Sequence, residues 1–84
     1  MVEIKEIVYT EKFERDVKKV RGNLREKLEN QIRKILEDPE LGKPLRYGLK
    51  GEWTTYVRPY RLIYAIHGDR LVLLRFEHRE NVYE

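Results

Sequence analysis

Residues 60–76 read Tyr-Arg-Leu-Ile-Tyr-Ala-Ile-His-Gly-Asp-Arg-Leu-Val-Leu-Leu-Arg-Phe. Two apolar runs, rich in aromatic and β-branched residues, flank the dipeptide Gly68-Asp69, and such a dipeptide between runs of this length makes a tight hairpin turn. The stretch predicts two antiparallel strands, one from Tyr60 or Arg61 through about His67 and the other from Arg70 to Phe76. Immediately upstream, Trp53 to Arg58 reads as a further strand. Pro59 ends it, because proline cannot donate to a sheet ladder. Three consecutive strands with short connections give an antiparallel meander.

Farther toward the N-terminus the pattern changes. Leu41 to Gly51 is rich in Gly and Pro and reads as a connecting loop that projects Lys43, Arg46 and Lys50. Asp38-Pro39 stops a helix whose apolar stripe is Leu24, Leu28, Ile32, Ile35 and Leu36. Asn23 and Glu26 have the spacing of a capping box at its start. Gly22 ends an earlier helix with Phe13, Val17 and Val20 on one stripe and Thr10 as its N-cap. Glu11–Arg15 and Glu14–Lys18 are its favourable i, i+4 pairs. Val2, Ile4 and Ile7-Val8-Tyr9 read as a first strand. The expected fold class is α+β, in the order β-α-α-β-β-β: an antiparallel sheet with an αα-hairpin on one face and the other face partly open. A single domain accounts for residues 1–84.

Hydrophobic residues make up 40% of the chain and charged residues 39%, so a thin core lies under a dense ionic surface. The absence of Cys removes disulfide and thiolate chemistry. The N-terminal Met-Val-Glu-Ile-Lys-Glu lacks the apolar stretch of a signal peptide, and later apolar runs are too short to span a bilayer. A soluble cytoplasmic protein is the expectation. The net charge of +3 is unevenly placed. Residues 1–42 carry ten Lys/Arg against ten Asp/Glu, whereas residues 43–84 carry eight against five. The basic excess therefore belongs to the sheet and tail, a pattern that suits a polyanion but that ordinary surface scatter also produces.

Side chains alternate along a strand. Trp53, Thr55 and Val57 share the side that the bulky indole assigns to the helices, which leaves Thr54, Tyr56 and Arg58 on the open side. The same alternation sends Val72, Leu74 and Phe76 inward and Leu71, Leu73 and Arg75 outward. In the strand between, Arg61 is the exception in an otherwise core-like run. A buried charge is costly without a partner. Arg61 therefore either pairs with a carboxylate such as Glu52 or Glu77, or holds an anion together with Arg58 and Arg79. Tyr56 and Tyr60 suit base stacking and equally suit an amphipathic sheet, and His67 reads as a surface residue at the hairpin. No metal-ligand cluster, Gly-rich phosphate loop or Ser/His/Asp set occurs. The remaining chemistry lies in the last seven residues, which include His78, Arg79 and Tyr83. Arginine grips phosphate oxygens with a planar fork, and Tyr and His move protons. This toolkit fits a phosphodiester.

The order of these motifs resembles the RelE/ParE toxin superfamily of bacterial and archaeal toxin–antitoxin systems. The resemblance covers nearly the whole chain. It is carried by Gly42-Lys43-Pro44-Leu45, Leu49-Lys50-Gly51, Trp53, Tyr60-Arg61-Leu62-Ile63-Tyr64, Gly68-Asp69, and His78-Arg79 with Val82-Tyr83. It implies a RelE-like toxin domain acting as a ribosome-dependent mRNA interferase. By position, Arg61 and Arg79 match the family's phosphate-binding arginines, and Tyr83 its near-terminal catalytic tyrosine. His78 falls where YoeB-like relatives have a histidine, while Thr54 and Tyr56 stand where RelE has two lysines. Lys43, Arg46, Lys50, Tyr56 and Arg58 are the expected substrate contacts.

The implied reaction is metal-independent attack of an RNA 2′-OH on the adjacent phosphorus, with no small-molecule cofactor. Either His78 or Tyr83 takes the proton. A free imidazole titrates near neutrality and a free phenol about three units higher, so His78 is the easier base and Tyr83 the closer family match. The implied partners are a cognate antitoxin, the ribosome and mRNA, with no membrane. Three readings compete: a ParE-like DNA gyrase inhibitor, a catalytically weak homologue that mainly binds its antitoxin, and a small basic RNA-binding domain.

Overall fold

The computed structural model describes residues 3–44 and 51–78. Strand β1 (Glu6–Tyr9) leads into helices α1 (Glu11–Val17) and α2 (Asn23–Glu37), followed by β2 (Lys43–Pro44), β3 (Glu52–Val57), β4 (Tyr60–His67) and β5 (Arg70–His78). These strands form one sheet in the order β1-β5-β4-β3-β2. The expected meander is present: β3, β4 and β5 pair antiparallel in sequence. Gly68 turns the β4–β5 hairpin at a φ of 63°, a left-handed conformation that glycine adopts without a Cβ clash. No helix among the described residues is long and apolar enough to cross a membrane.

Several expectations need correction. The first strand begins at Glu6, so Ile4 precedes it, and Val2 lies outside the described residues. It runs parallel to β5 at the sheet edge, with Glu6 opposite Arg70 and Tyr9 opposite Leu73. Lys43 and Pro44, read as loop, form a two-residue strand on β3, too short to leave a pattern in sequence. Helix α1 stops at Val17, although Val20 still reaches the core at 4% exposure. Its i, i+4 ion pair is Lys12–Asp16 rather than Glu11–Arg15 or Glu14–Lys18. Helix α2 is capped at Gly22 without a side-chain hydrogen bond, so Asn23 and Glu26 form no capping box. The Thr10 cap does form. Its hydroxyl accepts from Phe13 N at 3.2 Å and donates to Leu73 O at 2.8 Å, tying the start of α1 to β5.

The strand faces also differ from strict alternation. Ile63 stands opposite Arg75, but Tyr64 stands opposite Leu73, so Leu74 has no partner on β4. This extra residue is a β-bulge that reverses the phase of β5. Leu71, Leu73 and Phe76 all lie in the helix-side core, whereas Val72 and Leu74 are only half-buried. With them pack Phe13, Leu28, Ile35, Val57, Leu62 and Tyr64. On β3 the expected assignment holds: Gln31 of α2 donates to the Thr55 hydroxyl at 2.8 Å, placing Thr55 beneath that helix.

One buried hydroxyl closes the turn after α2. Tyr64 is fully buried; its Oη donates to Pro39 O at 3.0 Å and accepts from Gly42 N at 2.9 Å. Burial raises the phenol above its ordinary pKa, which keeps the donating proton in place. Gly42 is required because a Cβ there would lie 2.6 Å from Thr54 O and 2.8 Å from Tyr64 Oη. Tyr64→Phe leaves an N–H and a carbonyl without this partner and is expected to lower stability by about 1–3 kcal/mol. Urea unfolding reads the loss, and an unchanged midpoint would show that water replaces the hydroxyl.

Candidate functional site

The sheet face away from the helices gathers polar side chains. Alternation along β3 and β4 brings Thr54 and Tyr56 there, opposite Ile63 and Arg61. On β5 the bulge keeps Arg75 on this face, opposite Ile63, with Glu77 opposite Arg61. Lys43 of β2 stands opposite Thr54 at the outer rim.

Among the described residues, Arg61 is the buried cation of this face, at 8% exposure. Its Nη2 donates to Tyr56 Oη at 2.9 Å, and its guanidinium carbon lies 5.1 Å from the centre of the Tyr56 ring. The phenol thus holds the fork both as acceptor and through its π face. Glu52 and Glu77, two of the carboxylates considered for Arg61, each meet another cation. Glu52 lies 3.3 Å from Arg75 Nη2, and Glu77 lies 3.4 Å from Lys12 Nζ. Tyr56 is 41% exposed, so the pair it makes with Arg61 reaches from the sheet interior to the surface.

The other candidates are distributed unevenly. Arg58 is exposed at the turn between β3 and β4, and Lys43 is exposed on β2. Arg46, Lys50, Arg79 and Tyr83 lie outside the described residues. The structure does not bring His78 to Arg61. His78 stands opposite Tyr60 and meets its ring edge-on at 5.3 Å, while Tyr60 stacks on core residue Phe76 at 4.8 Å. His78 therefore belongs to the helix side of the sheet, within a groove of about 310 Å³ that also includes Lys12 and Asp16.

Sequence reading singled out neither Lys12 nor Asp16; their i, i+4 spacing was the available signal. Asp16 accepts from Phe76 N at 3.0 Å, capping β5 beyond the end of β1. The hydrogen bond from Lys12 to Asp16 raises the Lys12 ammonium above its ordinary pKa despite partial desolvation. Among the described residues, no group of three or more His, Asp or Glu side chains is placed to hold a metal ion.

Comparison with known proteins agrees with this architecture. Residues 7–83 match the family described as the ParE toxin of the type II toxin–antitoxin system parDE. No curated protein sequence matches the chain. A YoeB/ParE toxin from Agrobacterium tumefaciens is 21% identical with a TM-score of 0.78, over 88% of this chain and 98% of that one. The toxin–antitoxin complex RelBE2 from Mycobacterium tuberculosis contains a chain 29% identical with a TM-score of 0.74, over 88% and 96%. The DinJ–YafQ toxin–antitoxin complex of E. coli contains one 19% identical with a TM-score of 0.78, over 99% and 100%.

Proposed function

Because the chain belongs to the ParE toxin family of type II toxin–antitoxin systems, we propose that its toxicity is RelE-like: ribosome-dependent cleavage of mRNA, held in check by a cognate antitoxin. The observation that carries this reading is Arg61, a guanidinium set into the sheet face away from α1 and α2 and held there by Tyr56. A group in this position meets an RNA phosphate with its geometry already fixed, so little reorganisation accompanies the reaction. An antitoxin partner is in keeping with the RelBE2 and DinJ–YafQ structures, which are toxin–antitoxin complexes.

In the proposed reaction the 2′-oxygen forms a bond to phosphorus as the bond from phosphorus to the 5′-oxygen breaks. The 2′-OH proton passes to a protein base, and the departing 5′-oxygen takes a proton from water, whose hydroxide then regenerates the base. Products are a 2′,3′-cyclic phosphate and a 5′-hydroxyl. Arg61 and Arg79 offset the charge that builds on the non-bridging oxygens. His78 stands on the helix side of the sheet, so Tyr83 is the base that takes the 2′-OH proton. Lys43, Arg46, Lys50 and Arg58 supply positive charge around the substrate.

The family description names ParE, which favours a second reading in which the toxin inhibits DNA gyrase without cutting RNA. One experiment separates the two. The protein is added to a translating extract and mRNA ends are mapped, with gyrase-cleaved DNA measured in parallel. New mRNA ends bearing cyclic phosphate, dependent on ribosomes, are expected. Intact mRNA with accumulated gyrase–DNA complexes would overturn the nuclease reading.

A further inference from the structure

We propose that a groove between α2 and the outer rim of β3 is a second RNA subsite, which takes the sugar-phosphate backbone of single-stranded RNA alongside the Arg61 site. It deepens the nuclease reading and rests on it for the identity of the polyanion. Strand β2 covers β3 only at Trp53 and Thr54. Past Thr54, no strand lies beside the outer rim of β3 among the described residues. A groove of about 280 Å³ occupies that place, walled by Lys27, Asn30 and Lys34 of α2 and by Tyr56 and Arg58 of the strand side.

The composition of this groove selects its occupant. Positions 27, 30 and 34 fall on one face of the helix, and all three side chains are exposed. Among the described residues the lining holds three cations and no carboxylate. Such a surface attracts an anion and offers little to an apolar helix. Its walls are fixed relative to each other, because Gln31 bonds the Thr55 hydroxyl across the joint between α2 and β3. It is also continuous with the candidate site: Tyr56 lines the groove and its hydroxyl holds Arg61. A strand of RNA gripped at Arg61 passes over Tyr56 to Arg58 and then meets Lys27 and Lys34. An acidic antitoxin segment shares the charge complementarity, but continuity with Arg61 favours RNA.

The test is binding of the full chain to a 2′-O-methyl single-stranded oligoribonucleotide, which cannot be cleaved, measured by anisotropy at several salt concentrations. Each phosphate contact on single-stranded nucleic acid contributes about 0.7 to the slope of log affinity against log salt. Lys27→Gln/Lys34→Gln is therefore expected to reduce that slope by about 1.4. The charge-matched control Lys5→Gln/Lys18→Gln, also at exposed positions, is expected to change it by less than half as much. Equal effects of the two double variants would overturn the subsite. So would an unchanged RNA slope in the Lys27/Lys34 variant accompanied by weaker antitoxin binding, which would assign the groove to the antitoxin. A wild-type chain that shows the groove-dependent slope but cuts no mRNA would refute the nuclease reading and leave the RNA subsite standing.

Discussion

Arg61→Ala is expected to slow mRNA cleavage about 100- to 1000-fold, the loss that follows removal of one preorganised donor from a developing oxyanion. The size follows from where the side chain sits. At 8% exposure the guanidinium is poorly screened by water, and Tyr56 fixes its orientation before substrate arrives. Arg61→Lys keeps the charge but loses the planar fork, so it is expected to recover only part of the rate. Tyr56→Phe removes the acceptor of Nη2 and is expected to cost less, because Tyr56 positions Arg61.

Truncating a buried arginine also removes packing, so the same variants need thermal melts and binding to the uncleavable oligonucleotide. A rate loss far exceeding the loss of affinity marks a transition-state role. An Arg61→Ala protein that cuts like the wild type would remove Arg61 from the reaction.

Leu73→Ala and Leu74→Ala are expected to differ sharply although the residues are neighbours. Leu73 is fully buried against the helices, whereas Leu74 is the half-buried extra residue of the bulge. A buried Leu→Ala change costs about 2–5 kcal/mol. Small domains are held by roughly 5–15 kcal/mol in total. In a domain of this size each kcal/mol moves the midpoint by about 4–8 °C. Leu73→Ala is therefore expected to lower Tm by about 8–40 °C, and Leu74→Ala by a small part of that. Thermal circular dichroism decides between them. The reverse ranking would restore strict alternation and abolish the bulge.

The sequence was informative where local chemistry sets the outcome. Gly68 with Asp69 defined the hairpin, Thr10 announced the start of α1, and Pro59 separated β3 from β4. These two strands meet with Tyr56 opposite Arg61, so the pairing at the heart of the candidate site follows from a short turn and alternation.

Where both faces are apolar, alternation carries no phase. Leu71, Val72, Leu73 and Leu74 are interchangeable in pattern, and only the three-dimensional pairing shows which one is extra. The parallel contact of β1 with β5 joins residues about 64 apart in sequence and leaves no local trace. Lys27 and Lys34 lie off the apolar stripe of α2, and no local pattern singles them out. Only the packing of α2 beside β3 brings them into one groove with Tyr56 and Arg58. His78 adjoins Arg79 in sequence and falls where YoeB-like relatives have a histidine, whereas its parity in β5 sends it to the helix side.

The bulge at Leu74 also governs how relatives should be aligned with this chain. Deleting that one residue would leave Leu73 and Phe76 beneath the helices and Arg75 facing away from them, since the register then closes without a gap. Deleting Val72 instead would exchange the two sides for part of the strand. A homologue one residue shorter in its last strand is therefore best aligned with the gap at Leu74. Equivalences beyond that point are then counted from Phe76, which keeps a site residue from being transferred to the wrong side of the molecule.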